Sequence, residues 1–97
     1  MPTYVIVNVE IQDATQYDVY KQMAPRSIEA YGGRYLVRGG PVDILEGRWN
    51  PRRVVVLEFP NKHSAHAWWN SSEYSDAKAL RQSCAYTEMV VVEGVLA

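Results

Sequence analysis

Two glycine pairs enclose one short strand, and this stretch constrains the fold more than any other. Gly32-Gly33 closes a helical pattern, and Gly39-Gly40 follows after five residues. The segment between the pairs reads Arg34-Tyr35-Leu36-Val37-Arg38. Glycine tolerates the backbone conformations that end helices and strands, so the chain passes directly from a helix into a short strand. Strand side chains alternate, which predicts that Arg34, Leu36 and Arg38 share one face of an edge strand.

Three further segments have the composition of β-strands. Thr3–Ile11 alternates a fully apolar face with a mixed one, and Arg53–Phe59 contains four consecutive aliphatic residues. Met89–Glu93 has the same character near the C-terminus. Apolar residues on both faces indicate a strand that is covered on both sides. We therefore predict that the first two lie in the middle of a sheet, and that Val42–Glu46 forms only a short extended piece.

Three helices are predicted from capping residues and from apolar residues at intervals of three and four. The first begins after Asp13 and ends at Gly32, which is expected to be its C-cap. Asn61 is expected to cap the second helix, and Ser71 or Ser72 the third.

The order of these elements predicts the fold class. Strand, helix, strand, strand, helix pair and strand make an α+β, ferredoxin-like split βαβ domain that occupies residues 1–97. Its four-stranded antiparallel sheet carries helices on one face only. Because the central strands are apolar on both faces, the other face needs a cover. The sheet of a second copy would supply it, so we predict a homodimer joined through the bare sheet faces.

Composition excludes several classes of function. The formal net charge is −1, which provides no basic surface for nucleic acid or for anionic lipid. No apolar run approaches the length of a membrane span. The single cysteine, Cys84, excludes an internal disulfide and favours a cytoplasmic location. No Cys/His spacing is typical of zinc, so we expect neither a metal nor a cofactor.

Arg38 and Glu58 are the first two candidate site residues. Arg38 precedes a glycine pair whose backbone N–H groups could approach an anion, and its guanidinium could bind a carboxylate. The equally weighted alternative is an edge-strand arginine followed by a bulge. Glu58 ends an apolar strand, where a buried carboxylate needs a partner or water. A structural ion pair with Arg38 or Arg81 is favoured over a catalytic base in a cavity.

The third helix and the helix before it supply three more candidates. Tyr74 and Arg81 lie seven residues apart and therefore share a helix face. Both could roof a cavity between the helices and the sheet, in which Trp68 forms an apolar wall. The alternative is that Trp68 and Tyr74 are simply core residues, and for Trp68 this is favoured. We assign Glu58 and Tyr74 as candidate catalytic residues, and Arg38, Trp68 and Arg81 as candidate ligand-binding residues.

Two other reactive residue types have simpler interpretations. His63 and His66 have a spacing that can bind a metal, but without a third ligand they are expected to face solvent. Cys84 has no neighbouring base in sequence and is expected to be a buried, inert thiol.

A set of short motifs resembles one bacterial family. The chain carries, in order, Tyr31-Gly32-Gly33-Arg34, Arg38-Gly39-Gly40, Leu45-Glu46-Gly47, Pro51-Arg52-Arg53, Glu58-Phe59-Pro60, Ala67-Trp68, Ser71, Glu73-Tyr74, Lys78-Ala79-Leu80-Arg81 and Val92-Glu93-Gly94. Together these motifs resemble the bacterial domain of unknown function numbered thirteen-thirty. That family belongs to the superfamily of dimeric α/β-barrels with ferredoxin-like subunits. The resemblance implies this fold and a dimer, and it implies no activity.

Two classes of function remain open from the sequence. One is a cofactor-independent enzyme that acts on a small anionic organic molecule, with arginine orienting it and Glu58 or Tyr74 moving a proton. The other is a non-catalytic dimer that binds a small ligand or stabilises another assembly. An unpaired Glu58 in a cavity would favour the enzyme, and a Glu58–arginine pair without a cavity would favour the second class.

Overall fold

The computed structural model describes residues 1–96 of the 97-residue chain. The elements are β1 (Thr3–Ile11), α1 (Ala14–Ala30), β2 (Arg34–Arg38), β3 (Arg53–Phe59), α2 (Lys62–Trp69), α3 (Ser72–Cys84) and β4 (Ala85–Glu93). This is the predicted order of elements. Within residues 1–96, no helix combines the length and the hydropathy that a membrane crossing needs.

The four strands form one antiparallel sheet in the order β2-β3-β1-β4. The predicted central strands, β1 and β3, are therefore confirmed in the middle. Along β1 the side chains of Val5, Val7 and Val9 are buried beneath the helices, whereas Tyr4 and Ile6 on the other face are only half-buried. The alternation shows that the helices cover one face, and the predicted ferredoxin-like α+β fold is confirmed.

A β-bulge in β2 overturns the predicted placement of its arginines. Arg34 lies opposite Glu58, but Arg38 lies opposite Val55, because the pairing with β3 shifts between Tyr35 and Val37. Leu36 is the additional residue at this shift. An inserted residue reverses the alternation of the side chains that follow it. Arg34 therefore lies on the bare face and Arg38 on the helix-covered face, so the prediction of one shared face was wrong.

The predicted helix N-caps are confirmed. Asp13, Asn61 and Ser71 each accept a hydrogen bond from the backbone N–H three residues further on, at 3.1, 2.8 and 3.1 Å. Of the two serines proposed for α3, Ser71 is the cap. Each bond satisfies a donor that the first helical turn leaves free, and this sets where each helix begins.

The glycine pair after α1 forms a Schellman motif. The Gly32 N–H donates to Glu29 O at 3.0 Å, and the Gly33 N–H donates to Ile28 O at 2.9 Å. Gly32 has φ 78°, so it is the left-handed residue one position beyond the C-cap, Tyr31, rather than the cap itself. Gly33 is needed for a different reason, since a Cβ there would lie 2.6 Å from the Phe59 ring.

Two predicted segments differ from the structure. β4 begins at Ala85 instead of Met89, because it pairs with β1 over its full length, from Ile11↔Ala85 to Thr3↔Glu93. The partner strand, rather than the local apolar run, determines its length. Val42–Glu46 forms no strand and belongs to an irregular loop over residues 39–52 in which Leu45 is 98% exposed.

Replacing Gly32 by alanine should destabilise the fold by about 1–2 kcal/mol, because a Cβ is strained in the left-handed conformation. Gly40→Ala is the matched control, since a Cβ at Gly40 would meet open space and should change stability by less than about 0.5 kcal/mol. Urea denaturation followed by circular dichroism measures both. Equal stability of the two variants would show that the left-handed position is not needed.

Candidate functional site

A narrow cavity lies between the helix layer and the sheet. Its floor is apolar and comes from β1 and β3, and its polar groups come from α1, α3 and the ends of β2 and β3. The free volume is only about 20 Å³, which suffices for a water molecule. Lys21, Arg38 and Arg53 line both this cavity and a wider surface depression of about 580 Å³. We call these three residues the mouth.

The cavity brings together most of the site residues that the sequence indicated. Arg38, Trp68 and Arg81 all line it. Tyr74 does not line the cavity, but it contacts Arg81 and Trp68, which do. Glu58 is not part of it, because Glu58 lies opposite Tyr4 and Arg34 on the bare face of the sheet.

Arg81 is a buried cation that has only neutral partners. It is 4% exposed, its Nε donates to the Tyr74 hydroxyl at 3.1 Å, and its Nη1 donates to Thr87 Oγ1. No carboxylate among residues 1–96 forms an ion pair with it. Burial by itself lowers the pKa of Arg81, but the phenolic groups of Tyr74 and Tyr20 outweigh this effect and raise it above the ordinary value. A permanent positive charge therefore lies beside the cavity without a counter-ion.

Tyr74 connects Arg81 to Tyr20. The hydroxyls of Tyr20 and Tyr74 are 2.8 Å apart, and Tyr74 is fully buried. The Tyr74 oxygen already accepts from Arg81, which has no acceptor to offer. The Tyr74 hydrogen is therefore satisfied only if Tyr74 donates to Tyr20. This direction leaves the Tyr20 hydrogen free to point into the cavity that Tyr20 lines.

Tyr20 stays protonated in this position. Burial is the main cause that raises the pKa of Tyr20 far above the ordinary tyrosine value. As a protonated hydroxyl, Tyr20 can donate a hydrogen bond to an oxygen atom in the cavity. Tyr20 was not predicted as a site residue, because its position in the apolar stripe of α1 is typical of a core residue.

Trp68 forms one wall and is also core. Its ring packs on Tyr74 at 4.2 Å and on Phe59 at 5.4 Å between centroids, and its Nε1 donates to Ser27 Oγ at 3.1 Å. With its polar atom satisfied and 1% of its surface exposed, Trp68 shapes the cavity without supplying a polar group to it.

Arg38 is held at the mouth by a consequence of Pro25. A proline within a helix leaves the carbonyl four residues before it without its usual donor, and here that carbonyl belongs to Lys21. Arg38 Nη2 donates to Lys21 O at 2.7 Å, and its guanidinium lies 4.4 Å from the centre of the Tyr35 ring. These two contacts hold an otherwise exposed arginine beside the cavity.

The glycines after Arg38 act differently from the expectation that their N–H groups approach an anion. The Gly39 N–H donates to Val54 O at 2.9 Å and is therefore occupied. Gly39 instead makes room, because a Cβ at this position would overlap the guanidinium of Arg53. The absence of a side chain at Gly39 thus allows Arg53 to lie at the mouth.

Arg53 is the second site residue that the sequence analysis missed. It is the first residue of β3 and pairs with Val9, which places its side chain on the helix-covered face. Its guanidinium lies 5.5 Å from the centre of the Tyr17 ring. Its Nε is buried and, among residues 1–96, has no hydrogen-bond partner. The signal in the sequence was the alternation of β3, which puts Arg53 on the same face as Val55 and Leu57.

Glu58 forms an ion pair with Arg34. Arg34 Nε lies 2.8 Å from Glu58 Oε1, on the sheet face away from the helices. The expected placement of Glu58 in the cavity was therefore wrong, because β3 alternates and Glu58 projects opposite to Leu57. An ion pair was the favoured interpretation of Glu58, but its partner is Arg34 rather than Arg38 or Arg81.

The remaining reactive residues lie away from this cavity. His63 and His66 are exposed, as expected, and no three His, Cys, Asp or Glu side chains in residues 1–96 lie close enough to hold a metal ion. Cys84 is a free, buried thiol whose pKa is raised by burial, as the sequence analysis expected.

Comparison with protein families identifies the chain. A family model described as a domain of unknown function, DUF1330, matches residues 2–95. The chain belongs to the DUF1330 family. No match was found among curated protein sequences.

Solved structures show the same fold as this DUF1330 protein. A protein of unknown function from Rhodopseudomonas palustris is 16% identical, with a TM-score of 0.80 over 99% of this chain and 84% of that one. A dimeric ferredoxin-like protein of unknown function from Jannaschia sp. CCS1 is 15% identical, with a TM-score of 0.66 over 97% and 100%. SnoaB, a cofactor-independent oxygenase from Streptomyces nogalater, is 7% identical, with a TM-score of 0.63 over 99% and 94%. At these identities the likeness shows the fold alone.

Removing the Tyr74 hydroxyl should destabilise this DUF1330 protein more than removing the Tyr20 hydroxyl. Tyr74→Phe leaves the buried Arg81 Nε without a partner, which should cost about 1–3 kcal/mol. Tyr20→Phe keeps the Arg81–Tyr74 bond and should cost about 1 kcal/mol or less. Thermal or urea denaturation of the two variants compares them. If Tyr20→Phe were the more damaging change, the proposed direction of the hydrogen bonds would be wrong.

Proposed function

We propose that this DUF1330 protein binds a small organic anion at the helix-side cavity and polarises one of its oxygen atoms. The observation that carries this proposal is the charge of Arg81, which is buried beside the cavity and has only hydroxyl partners. Burying a cation without a counter-ion is costly, and a bound anion would reduce that cost. Arg38 and Arg53 line the same cavity and add to its positive potential.

The dimensions of the site limit how such a ligand lies. The inner cavity has room for about one water molecule, so only a single oxygen-bearing group can enter it. The depression outside the mouth is much larger and is lined by polar side chains. The body of the ligand therefore lies outside, with a carbonyl or hydroxyl oxygen directed inward to Tyr20.

The arrangement can stabilise negative charge on that oxygen. Arg81, Tyr74 and Tyr20 form a chain of donors that ends at the Tyr20 hydroxyl. A donor placed where charge develops lowers the barrier to forming an enolate from a carbonyl compound. Tyr20 would contact the substrate, and Tyr74 would act through Tyr20 as a positioning residue. Enolate formation in this site would need only side chains of the protein. The proton removed from the carbon atom of the ligand would pass to water in the open depression.

Ligand binding without catalysis is the second candidate function. It is favoured by one observation: no Asp, Glu or His from residues 1–96 lines the inner cavity, so a built-in base is lacking there. The two functions differ in one measurable property. An enzyme of the proposed kind would accelerate exchange of the ligand's carbon-bound hydrogen with deuterium from D₂O, as followed by proton NMR, and a binding module would not.

Arg81→Met should weaken binding of the natural ligand. Native mass spectrometry of the purified protein can detect and identify that ligand. Loss of a charged hydrogen-bonding group should weaken binding at least about tenfold. Arg26→Met on the exposed face of α1 removes the same charge and should leave binding intact. Arg81→Lys keeps the positive charge and tests whether a cation at this position is sufficient for the binding that Arg81→Met loses. A neutral ligand, or full binding by a folded Arg81→Met protein, would refute the proposal.

The same protein is proposed to act as a homodimer joined through the bare face of the sheet. The apolar side chains on this face come from all four strands: Tyr4, Ile6, Val37, Val54, Val56, Val90 and Val92. Several are exposed in the single chain, including Val90 at 55%. A structurally similar protein is dimeric. A second copy would remove this surface from water, which favours association.

Val56→Asp should convert the dimer to a monomer, because Val56 lies opposite Ile6 and Val37 near the centre of the bare face. Burying an unpaired carboxylate in such an interface costs several kcal/mol. Val19→Asp on the exposed side of α1 is the control and should remain dimeric. Sedimentation velocity at micromolar concentration measures both. A wild-type chain that is a stable monomer would refute the interface.

A further inference from the structure

We infer that the mouth, formed by Lys21, Arg38 and Arg53, is a separate binding site for two negative charges of the ligand, carried either by a phosphate group or by two carboxylates. This inference rests on the function proposed above and narrows it, because it predicts that the ligand carries two negative charges at the end opposite the oxygen held by Tyr20. The chemical class is therefore a small hydroxy or keto acid that bears a second carboxylate, or a small phosphate monoester.

The unpaired Nε of Arg53 is the first observation. It is buried and has no partner among residues 1–96, although a buried donor without a partner is costly. The rest of the guanidinium is held in place by Tyr17 on one side and by the open position at Gly39 on the other. Arg53 also lines the depression, and a guanidinium fixed in this way can bind an oxyanion in a planar, two-point contact.

The charge balance is the second observation. The depression outside the cavity is lined by Asp18, Lys21, Gln22, Arg38 and Arg53. Asp18 Oδ1 lies 3.1 Å from Lys21 Nζ and is the only carboxylate there among the described residues. Three cations and one anion leave an excess of two positive charges. A monoanion would leave one of them unmatched, whereas a dianion matches both.

The fixed position of Arg38 supports the same conclusion. Its Nη2 is occupied by the carbonyl that Pro25 leaves free, so the guanidinium is held beside the depression instead of extending into water. Arg38 and Arg53 line the same depression. Binding therefore requires little ordering of this long side chain, which reduces the entropic cost of association.

Isothermal titration calorimetry with three simple probes tests the inference. Lactate carries one negative charge, malate has a second carboxylate, and glycerol 3-phosphate carries a phosphate monoester. We expect malate or glycerol 3-phosphate to bind at least about tenfold more tightly than lactate, from one additional charged hydrogen bond. If malate binds more tightly than glycerol 3-phosphate, the second charge of the ligand is a carboxylate. If glycerol 3-phosphate binds more tightly, the ligand carries a phosphate.

Variants assign this preference to the mouth. Arg53→Gln should remove the preference for the dianion. Lys21 lies on the surface of α1, so Lys21→Gln should leave the fold unaffected and should reduce the preference. Arg26→Gln removes an equal charge elsewhere on α1 and should preserve it. Equal binding of lactate and both dianions, no binding of either dianion, or a preference that persists in both mouth variants would overturn the inference. A monoanionic natural ligand whose binding depends on Arg81 would overturn it while leaving the proposed function intact.

Discussion

The buried guanidinium of Arg81 is the interaction on which the site depends. It lies where α3 meets the sheet, with Thr87 on β4 and Tyr74 on its own helix as partners. Through Tyr74 it also orders Tyr20 on α1, so one cation connects three elements. Hydroxyl partners satisfy donors but do not neutralise a charge, and this distinguishes Arg81 from a structural ion pair such as Arg34–Glu58. The fold therefore maintains an uncompensated positive charge beside a cavity.

The sheet has a bare face and a helix-covered face, and the bulge at Leu36 determines on which face each arginine of β2 lies. Before the bulge, Arg34 lies on the bare face and neutralises Glu58. After it, Arg38 is directed to the helix side and reaches the Lys21 carbonyl. A regular strand would place both arginines on the bare face, where a second cation would oppose the proposed association of two sheets. One inserted residue thus places the two arginines of β2 on opposite faces of the sheet.

Local signals in the sequence predicted the elements, and long-range pairing determined what those signals missed. Caps at Asp13, Asn61 and Ser71 act within four residues, so they could be recognised from the sequence. The bulge at Leu36 and the early start of β4 depend on partner strands, and no local pattern specifies them. Arg38 was a candidate site residue because a glycine pair follows it, Arg81 because it shares a helix face with Tyr74, and Trp68 because its ring could form the wall of a cavity. Arg53 and Tyr20 were missed because a charge at the start of a strand and a tyrosine in a helical stripe are both ordinary.

The site also implies a balance between stability and binding. Among the described residues 1–96, Arg81 has no counter-ion and the buried Nε of Arg53 has no partner. Both features therefore reduce the stability of the ligand-free protein relative to apolar side chains of similar size. A small domain of this length has little stability to spare, which makes such features improbable unless they serve a purpose. An anion bound close to both groups would reduce the electrostatic cost of both and would bind only to the folded chain. Ligand binding would then stabilise the fold as well as orient the ligand, since whatever binds the native state alone shifts the folding equilibrium toward it.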